Sequence, residues 1–352
     1  MTFSPFDHPH FATLFGRDDL ALLFAPETEI DAMLRFEEAL ALAEADLGVI
    51  PKEAAAAIAE AIAGFAPDVE ALKAGVARDG LVAPALIAEL RATLDEAHRP
   101  HLHKGATSQD VIDTGLVLRL KAAIALLSDD IGGIIAKLDR LADGREDAPL
   151  MGRTRMQRAL PIRLADRIGI WRHPLVDHLE ALAQLKGRLL AVQLGGPVGT
   201  LETLGAHGPR VRARLAERLE LADPGRSWHT ERGRVADIAH WLSKVSGSLG
   251  KIGQDVVLMA QNEIGEAAIG DGGRSSAMPH KRNPVLAELL IALARYNAAA
   301  AGAMHQALVH EGERSGSAWA LEWLTLPPMI AATGAALSIA NTMLDKLEIH
   351  AR

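Results

Sequence analysis

Apolar residues recur every three or four positions between residues 235 and 259, and this is the clearest pattern in the chain. Alternating spacings of three and four form a heptad seam, which is typical of helices in a left-handed bundle. The pattern therefore predicts one long helix that needs several long neighbours. The seam consists of Val235, Ile238, Leu242, Val245, Leu249, Ile252, Val256 and Met259.

Three further segments carry apolar residues at helical spacing and can supply those neighbours, namely 112–141, 163–193 and 285–311. The last is apolar on more than one face, which indicates packing against other subunits as well as its own chain. The expected organisation is an N-terminal helical domain over 1–100, a central long-helix domain over 101–330 and a short helical tail over 331–352.

The composition also favours a helical protein. Hydrophobic residues make up 49% of the 352 positions and aromatic residues only 4%, a balance typical of packed helices rather than sheets. The chain has no cysteine, which excludes a disulfide framework and a thiolate nucleophile. No uncharged apolar run of about 18 residues predicts a membrane span, and the start of the chain has no signal-peptide pattern. The formal net charge of −8 argues against general nucleic-acid binding, so a cytoplasmic protein is expected.

One stretch of fourteen residues, 271–284, interrupts the helical pattern with glycines, serines, prolines and a run of hydrogen-bond donors. Its glycines and prolines exclude a helix, and a loop of small residues between rigid helices can form an anion site. An ordinary connection of the same composition is the alternative. The stretch reads Asp-Gly-Gly-Arg-Ser-Ser-Ala-Met-Pro-His-Lys-Arg-Asn-Pro.

A second polar cluster comes just before the segment 112–141. His103 and Lys104 precede Thr107 and Ser108, and either hydroxyl can cap the N-terminus of the following helix, where anions bind. A simple capping motif explains the same residues. His101 and His103 have no third ligand at a metal-binding spacing, so no metal site is expected.

A third polar cluster places Arg153, Arg155 and Arg158 within six residues, where they would repel one another unless an anion is bound. Thr154 and Gln157 lie between them and add directional hydrogen-bonding groups. A solvated basic face is the alternative interpretation.

The three clusters together resemble the conserved regions of the fumarase/aspartase superfamily and occur in that family's order. The family's signature loop reads Gly-Ser-Ser-x-Met-Pro-x-Lys-x-Asn, and every fixed position from Ser275 to Asn283 is met here. The segments 107–110 and 152–161 resemble the first and second regions. The resemblance extends over roughly residues 6–327.

This resemblance implies an all-α fold, a homotetramer around a central helical bundle, and active sites that each combine the three regions from three subunits without a cofactor. Ser275 maps to the family's base, and Lys281 and Asn283 map to the groups that hold the aci-carboxylate intermediate. The further C-terminal helical domain of many members is expected to be missing after Arg352. The residues expected to bind substrate are His103, Thr107, Ser108, Arg153, Thr154, Arg155, Gln157, Ser276 and Met278.

One departure from the family pattern bears on the chemistry. The second region usually contains a histidine that helps to protonate the leaving group, and Arg155 occupies that position. Arginine cannot release a proton at neutral pH, whereas a carboxylate leaves as a stable anion without an acid. Arg155 therefore favours the lactone-forming branch of the superfamily, in which one carboxylate of a small tricarboxylate adds to an alkene. The alternatives are a lyase that releases fumarate and a non-catalytic helical scaffold.

Overall fold

The computed structural model describes residues 4–270, 273–278 and 280–350. Within these residues helices dominate, and four short strands form two separate two-stranded antiparallel sheets. The helices are α1 (Ala12–Phe15), α2 (Asp18–Leu23), α3 (Pro26–Asp46), α4 (Lys52–Ala63), α5 (Val69–Asp79), α6 (Ala83–Thr93), α7 (Ser108–Ala142), α8 (Leu164–Leu189), α9 (Gly208–Leu219), α10 (Gly233–Met259), α11 (Val285–Gln306) and α12 (Ser317–Asp345). The strands are β1 (Pro149–Thr154), β2 (Gln157–Arg163), β3 (Ala267–Ile269) and β4 (Leu347–Ile349).

The long helices α7, α8, α10, α11 and α12 pack along one another as a bundle. All eight residues of the predicted heptad seam are buried on α10, which confirms the prediction of that helix. The other three predicted segments correspond to α7, α8 and α11. The all-α fold class is confirmed as well.

A buried amide fixes the packing of three bundle helices. Asn297 on α11 donates from Nδ2 to the Ser246 hydroxyl on α10 at 3.0 Å and to the Thr333 hydroxyl on α12 at 2.9 Å. Ser246 in turn donates to the carbonyl oxygen of Leu242. Because an unpaired buried amide is costly, these hydrogen bonds select one register for helices whose contacts are otherwise apolar.

Two bundle helices, α11 and α12, are long and apolar enough to cross a membrane by length and composition. The criterion of an uncharged, wholly apolar run misses both helices: Glu288 and Arg295 interrupt α11, and residues 323–344 of α12 are uncharged but include threonine, serine, asparagine and proline. The most apolar stretch of α12 is 61% buried within the fold, as expected of a core helix, whereas that of α11 is 28% buried. Helix α11 therefore presents an apolar surface that its own chain leaves open.

A second hydrophobic core lies at one end of the bundle, where α3 to α6 pack against the first turns of α7 and against α9. Through this core the N-terminal helices pack against the start of α7. The domain limits expected at residues 100 and 330 stay predictions, and α12 continues across the second of them.

The third polar cluster of the sequence forms a β-hairpin, which the sequence pattern does not predict. Strands β1 and β2 pair so that Thr154 faces Gln157, and Arg155 and Met156 form the two-residue turn between them. Both turn residues have left-handed backbones, with φ of 49° and 65°. Such a turn suits the twist of a hairpin, but its backbone is strained for residues other than glycine or asparagine.

Candidate active site

A buried carboxylate fixes the first region at the N-terminus of α7. Asp110 accepts hydrogen bonds from the backbone N–H of Thr107 and from the two N–H groups of the turn 195–196, each at 2.9 Å. The side-chain amide of Gln193 donates to it, and Nε2 of His229 lies 2.7 Å from Oδ1. Thr107 is therefore the N-cap of α7, as one of the two predicted alternatives.

A second buried network lies one helical turn further along α7. Arg232 donates to Oδ2 of Asp113 at 2.6 Å and to Oε1 of Glu322 at 2.9 Å, and Nε1 of Trp319 donates to Asp113 at 3.1 Å. Burial alone would lower the pKa of Arg232, but the two carboxylates raise it above its ordinary value. Arg232 therefore stays charged inside the fold and joins α7 to α12.

The loop before α7 carries the remaining residues of the first region. His103 contacts Glu37 through Nδ1, and Arg314 donates from Nη1 to the Thr107 hydroxyl at 2.8 Å, while Ser108 is half-buried. Sequence reasoning misses Glu37 and Arg314 because both lie far from the motif in the chain. Across the described part of the chain, no group of three or more histidine or acidic side chains could hold a metal ion.

The second region lies on the β1–β2 hairpin. Arg153 donates to both oxygens of Glu266, at 2.7 and 2.8 Å, and this pairing raises its pKa. Thr154, Arg155 and Gln157 are exposed around the turn. Arg153 is thus engaged within its own chain, whereas Arg155 is available to an anion.

A cavity of about 430 Å³ adjoins the hairpin turn, and Arg153, Arg155, Arg167 and Asp255 are among its lining residues. Arg167 approaches Asp255 at 3.5 Å, and Lys251 contacts the same carboxylate at 2.6 Å. The hairpin end of the bundle is therefore rich in cations.

The signature loop forms the third region and is closed by its own backbone. The N–H of Asn283 donates to the carbonyl of Gly273 at 2.8 Å. A Cβ added at Gly273 would collide with the carbonyl oxygen of Asn283, and φ there is +62°, so only glycine fits. Ser275 Oγ accepts hydrogen bonds from the backbone N–H groups of Ala277 and Met278, at 3.3 and 3.1 Å. Donors of this kind favour the deprotonated oxygen that a serine base needs.

The other predicted site residues of the loop are less buried than the helices around them. Ser276, Met278 and Lys281 are exposed, and Asn283 is half-buried. Residues 271, 272 and 279 of the predicted fourteen-residue stretch lie outside the described residues.

The three regions do not meet within one chain. Helix α7 separates the first region from the hairpin by 35 residues, which is about 50 Å at 1.5 Å per residue. The ion pair of Arg153 with Glu266 places the hairpin at the end of α10 from which the signature loop departs. Within the described residues, no hydrogen bond or ion pair joins the loop 273–284 to the other two regions. A site that uses both Thr107 and Ser275 therefore needs more than one copy of the chain.

Comparison with known proteins gives relatives over nearly the whole chain. A family model described as lyase matches residues 17–296. The chain is 41% identical over 349 residues to the 3-carboxy-cis,cis-muconate cycloisomerase of Pseudomonas aeruginosa, which covers 97% of this chain and 76% of that protein. It is 35% identical over 341 residues to an N-acetyl-S-(2-succino)cysteine lyase of Enterococcus italicus, covering 95% and 74% of the two chains.

The fold comparison agrees with the sequence comparison. The crystal structure of 3-carboxy-cis,cis-muconate lactonizing enzyme from Pseudomonas putida matches with a TM-score of 0.89 and 37% identity, covering 98% of this chain and 78% of that chain. The chain thus shares both sequence and fold with these proteins.

The buried carboxylate of Asp110 generates a prediction for stability. Asp110→Asn replaces an acceptor of several hydrogen bonds by an amide whose NH₂ would face backbone N–H groups, so we expect the free energy of unfolding to fall by about 2–4 kcal/mol. Urea denaturation at fixed protein concentration measures it. The matched control is Asp46→Asn, because Asp46 is partly exposed and its partners within the described residues are Arg214 and Arg218. The loss in this variant should be under about 1 kcal/mol. Equal losses in the two variants would contradict the role of Asp110.

Proposed function

Because this chain belongs to the lyase family, the fumarase/aspartase superfamily that its signature loop resembles, we propose that it is a 3-carboxy-cis,cis-muconate cycloisomerase. The proposed reaction is the intramolecular addition of a carboxylate to an alkene, which gives 4-carboxymuconolactone. The observation that carries the proposal is Arg155, exposed at the hairpin turn in the position where the family has its histidine. The relatives that bear the cycloisomerase name support it.

Lactone formation needs no acid for a leaving group. One carboxylate oxygen forms a C–O bond to a carbon of the conjugated diene, the π electrons move toward another carboxylate as an enediolate, and a proton then adds to carbon. Every atom of the substrate stays in the product. Arg155 can neutralise a carboxylate but cannot donate a proton at neutral pH, so it suits this reaction better than the release of an amine or hydroxide.

Ser275 is the proposed group that delivers the proton to carbon, or removes it in the direction of lactone opening. The N–H groups of Ala277 and Met278 stabilise charge on its oxygen when the proton has left. Lys281 and Asn283 are the proposed partners of the enediolate, because preorganised donors at a developing charge usually contribute more to the rate enhancement than any other single effect.

The remaining substrate carboxylates are assigned to the first and second regions. A net-negative protein that binds a trianion must concentrate cations locally. His103 is followed by Lys104 in the chain, and Arg155 lines a cavity together with Arg153 and Arg167. The proposed binding residues are His103, Thr107, Ser108, Arg153, Thr154, Arg155, Gln157, Ser276 and Met278. Arg153 would need to share its guanidinium between Glu266 and the substrate.

The proposed active unit is a homotetramer whose sites are shared between subunits, in a cytoplasmic enzyme. The separation of about 50 Å along α7 supports sharing, and the open apolar surface of α11 supports association. Antiparallel bundles from different subunits would bring the first region of one chain beside the signature loop of another.

A second candidate is a lyase of the same family that releases fumarate from a succinyl thioether. The relative named N-acetyl-S-(2-succino)cysteine lyase supports it. A thiolate, with a pKa of about 8.5, leaves with less help from an acid than an amine or hydroxide does, so Arg155 is compatible with this reaction too.

Ultraviolet absorbance distinguishes the two candidates. Purified protein without added metal should remove the diene absorbance of 3-carboxy-cis,cis-muconate at a catalytic rate, because ring closure interrupts the conjugation. The product should have the mass of the substrate. Parallel assays with N-acetyl-S-(2-succino)cysteine, adenylosuccinate and argininosuccinate monitor fumarate release. Fumarate release with no loss of the diene would exclude the cycloisomerase.

Ser275→Ala tests the assignment of the proton carrier. We expect kcat to fall by about 10²- to 10⁴-fold, the usual contribution of general acid–base catalysis, while the oligomer measured by light scattering is unchanged. Ser128→Ala is the matched control, because the Ser128 hydroxyl donates only to Ile124 in its own helix, and this variant should keep full turnover. Near-normal activity of Ser275→Ala would rule out Ser275 as the base.

Subunit mixing tests the sharing of sites. Ser275→Ala and His103→Ala subunits, each nearly inactive at low substrate concentration, are dissociated, mixed in equal amounts and reassociated. If the two residues of a site come from different chains, random assembly makes about one quarter of the sites intact, and that fraction of wild-type turnover should return. Each variant treated alone is the control. A mixture no more active than its parents would place each site within one chain.

A further inference from the structure

A buried carboxylate lies directly behind the proposed substrate-binding histidine. Nδ1 of His103 is 2.6 Å from Oε1 of Glu37, and Glu37 is only 1% exposed on α3. The proposed reaction assigns no role to Glu37. A carboxylate can only accept hydrogen bonds, so His103 donates from Nδ1, and its Nε2 is left for another partner.

The same pair favours a charged His103. Oε2 of Glu37 is buried and has no hydrogen-bond partner within the described residues. A buried carboxylate with so few partners needs a full positive charge beside it. Burial alone would lower the pKa of His103, but the charge and the hydrogen bond of Glu37, together with Asp110, outweigh this effect, and the pKa is raised.

Other charged groups around His103 come from three elements. Asp110 on α7 raises the pKa of His103 further, Arg91 on α6 lowers it, and Lys104 is the next residue on the same loop. Glu37 is the carboxylate in direct contact with the ring, so it determines the position of the ring as well as its charge.

A second buried carboxyl group on α3, that of Glu44, allows the effect of the charge of Glu37 to be distinguished from the effect of burying a carboxyl group. Glu44 lies two helical turns from Glu37 on the same face of α3, and both of its oxygens are buried without partners within the described residues. Burial raises the pKa of Glu44 to about 8, so Glu44 is mainly protonated at neutral pH. It places little negative charge beside Glu37 and makes no hydrogen bond to His103.

The backbone holds the ring against α3. His103 has φ of 61°, a left-handed conformation that is strained for a residue with a side chain. The loop that contains it then leads to Thr107, whose backbone N–H is fixed by Asp110. Strain of this kind persists only where the surroundings enforce it.

We propose that Glu37 is a positioning residue that acts through His103: it keeps a proton on Nδ1, so that the charged ring presents Nε2–H to one carboxylate of the substrate. The ligand class is a polycarboxylate. The identity of that ligand rests on the proposed function, whereas the pairing of Glu37 with His103 does not.

Glu37→Gln tests the proposal, because glutamine keeps the shape and an acceptor for Nδ1 but removes the charge. At about pH 7 we expect KM for 3-carboxy-cis,cis-muconate to rise about tenfold, the loss of one charge-assisted hydrogen bond, with kcat changed by less than about threefold. The difference should shrink as the pH is lowered below the ordinary pKa of imidazole, because His103 of the variant then gains its proton without Glu37. Glu44→Gln is the matched control and should keep the wild-type dependence of KM on pH.

A second measurement needs no turnover. Diethyl pyrocarbonate modifies neutral imidazole, and peptide mass spectrometry follows the reaction at His103 as a function of pH. The midpoint should move to lower pH in Glu37→Gln, because the carboxylate that favours the charged ring is gone, and stay in place in Glu44→Gln. Glu37→Asp, which keeps the charge, should shift it less than Glu37→Gln.

Wild-type profiles of both KM and modification in Glu37→Gln would overturn the proposal, as would an equal shift in Glu44→Gln. A wild-type protein that fails to consume the diene, together with the expected shift of the His103 midpoint, would instead overturn the proposed function and leave the role of Glu37 supported.

Discussion

The carboxylate of Asp110 is the interaction on which one end of the molecule depends. It binds the N-cap of α7, the turn 195–196 and His229, which are up to 119 residues from it in sequence. A buried charge is tolerable only when its oxygens are satisfied, so these segments cannot move independently. The loop with His103 therefore takes its geometry from the connections on either side of α9, well outside its own motif. The network of Arg232 adds α12 to the same assembly.

The opposite end of the bundle depends on different interactions. The signature loop is closed by a backbone hydrogen bond between Gly273 and Asn283. The ion pair of Arg153 with Glu266 joins the hairpin to the segment between α10 and this loop. Among the described residues of these two elements, Arg155 is exposed and Ser275 is half-buried. The proposed site would combine a rigid binding region from one chain with two less constrained regions from others. Closure around a substrate would then cost little at the reacting end.

The local sequence pattern is sufficient to predict the long helices, but it does not predict contacts between residues that are distant in the chain. The seam of α10 could be predicted because a repeat of three and four has only one helical solution. The N-cap of α7 could be limited to Thr107 or Ser108 because capping is local. The β1–β2 hairpin could not, since its strands do not alternate polar and apolar residues and its turn uses Arg155 and Met156 in place of glycine. The contacts of Glu37 and Arg314 cannot be predicted, because nothing in the sequence indicates which distant residue will contact His103 or Thr107. The motif residues themselves follow from family resemblance, which also implies that the three regions meet only between subunits but gives no distance within one chain.

The partners of Asp110 lie far apart in the sequence, and this constrains the order in which parts of the chain can fold. During synthesis, residue 110 is added to the chain 119 residues before His229, the last of its partners. Until then Asp110 lacks the donors of residues 193–196 and 229, and of its partners only the N–H of Thr107 is close to it in sequence. Helices can form early from local contacts, but this anchor requires loop closure over long distances, which is slow. The first region of the site is therefore among the last parts of the chain to mature, and a nascent chain stopped before residue 229 would carry the motif without its shape.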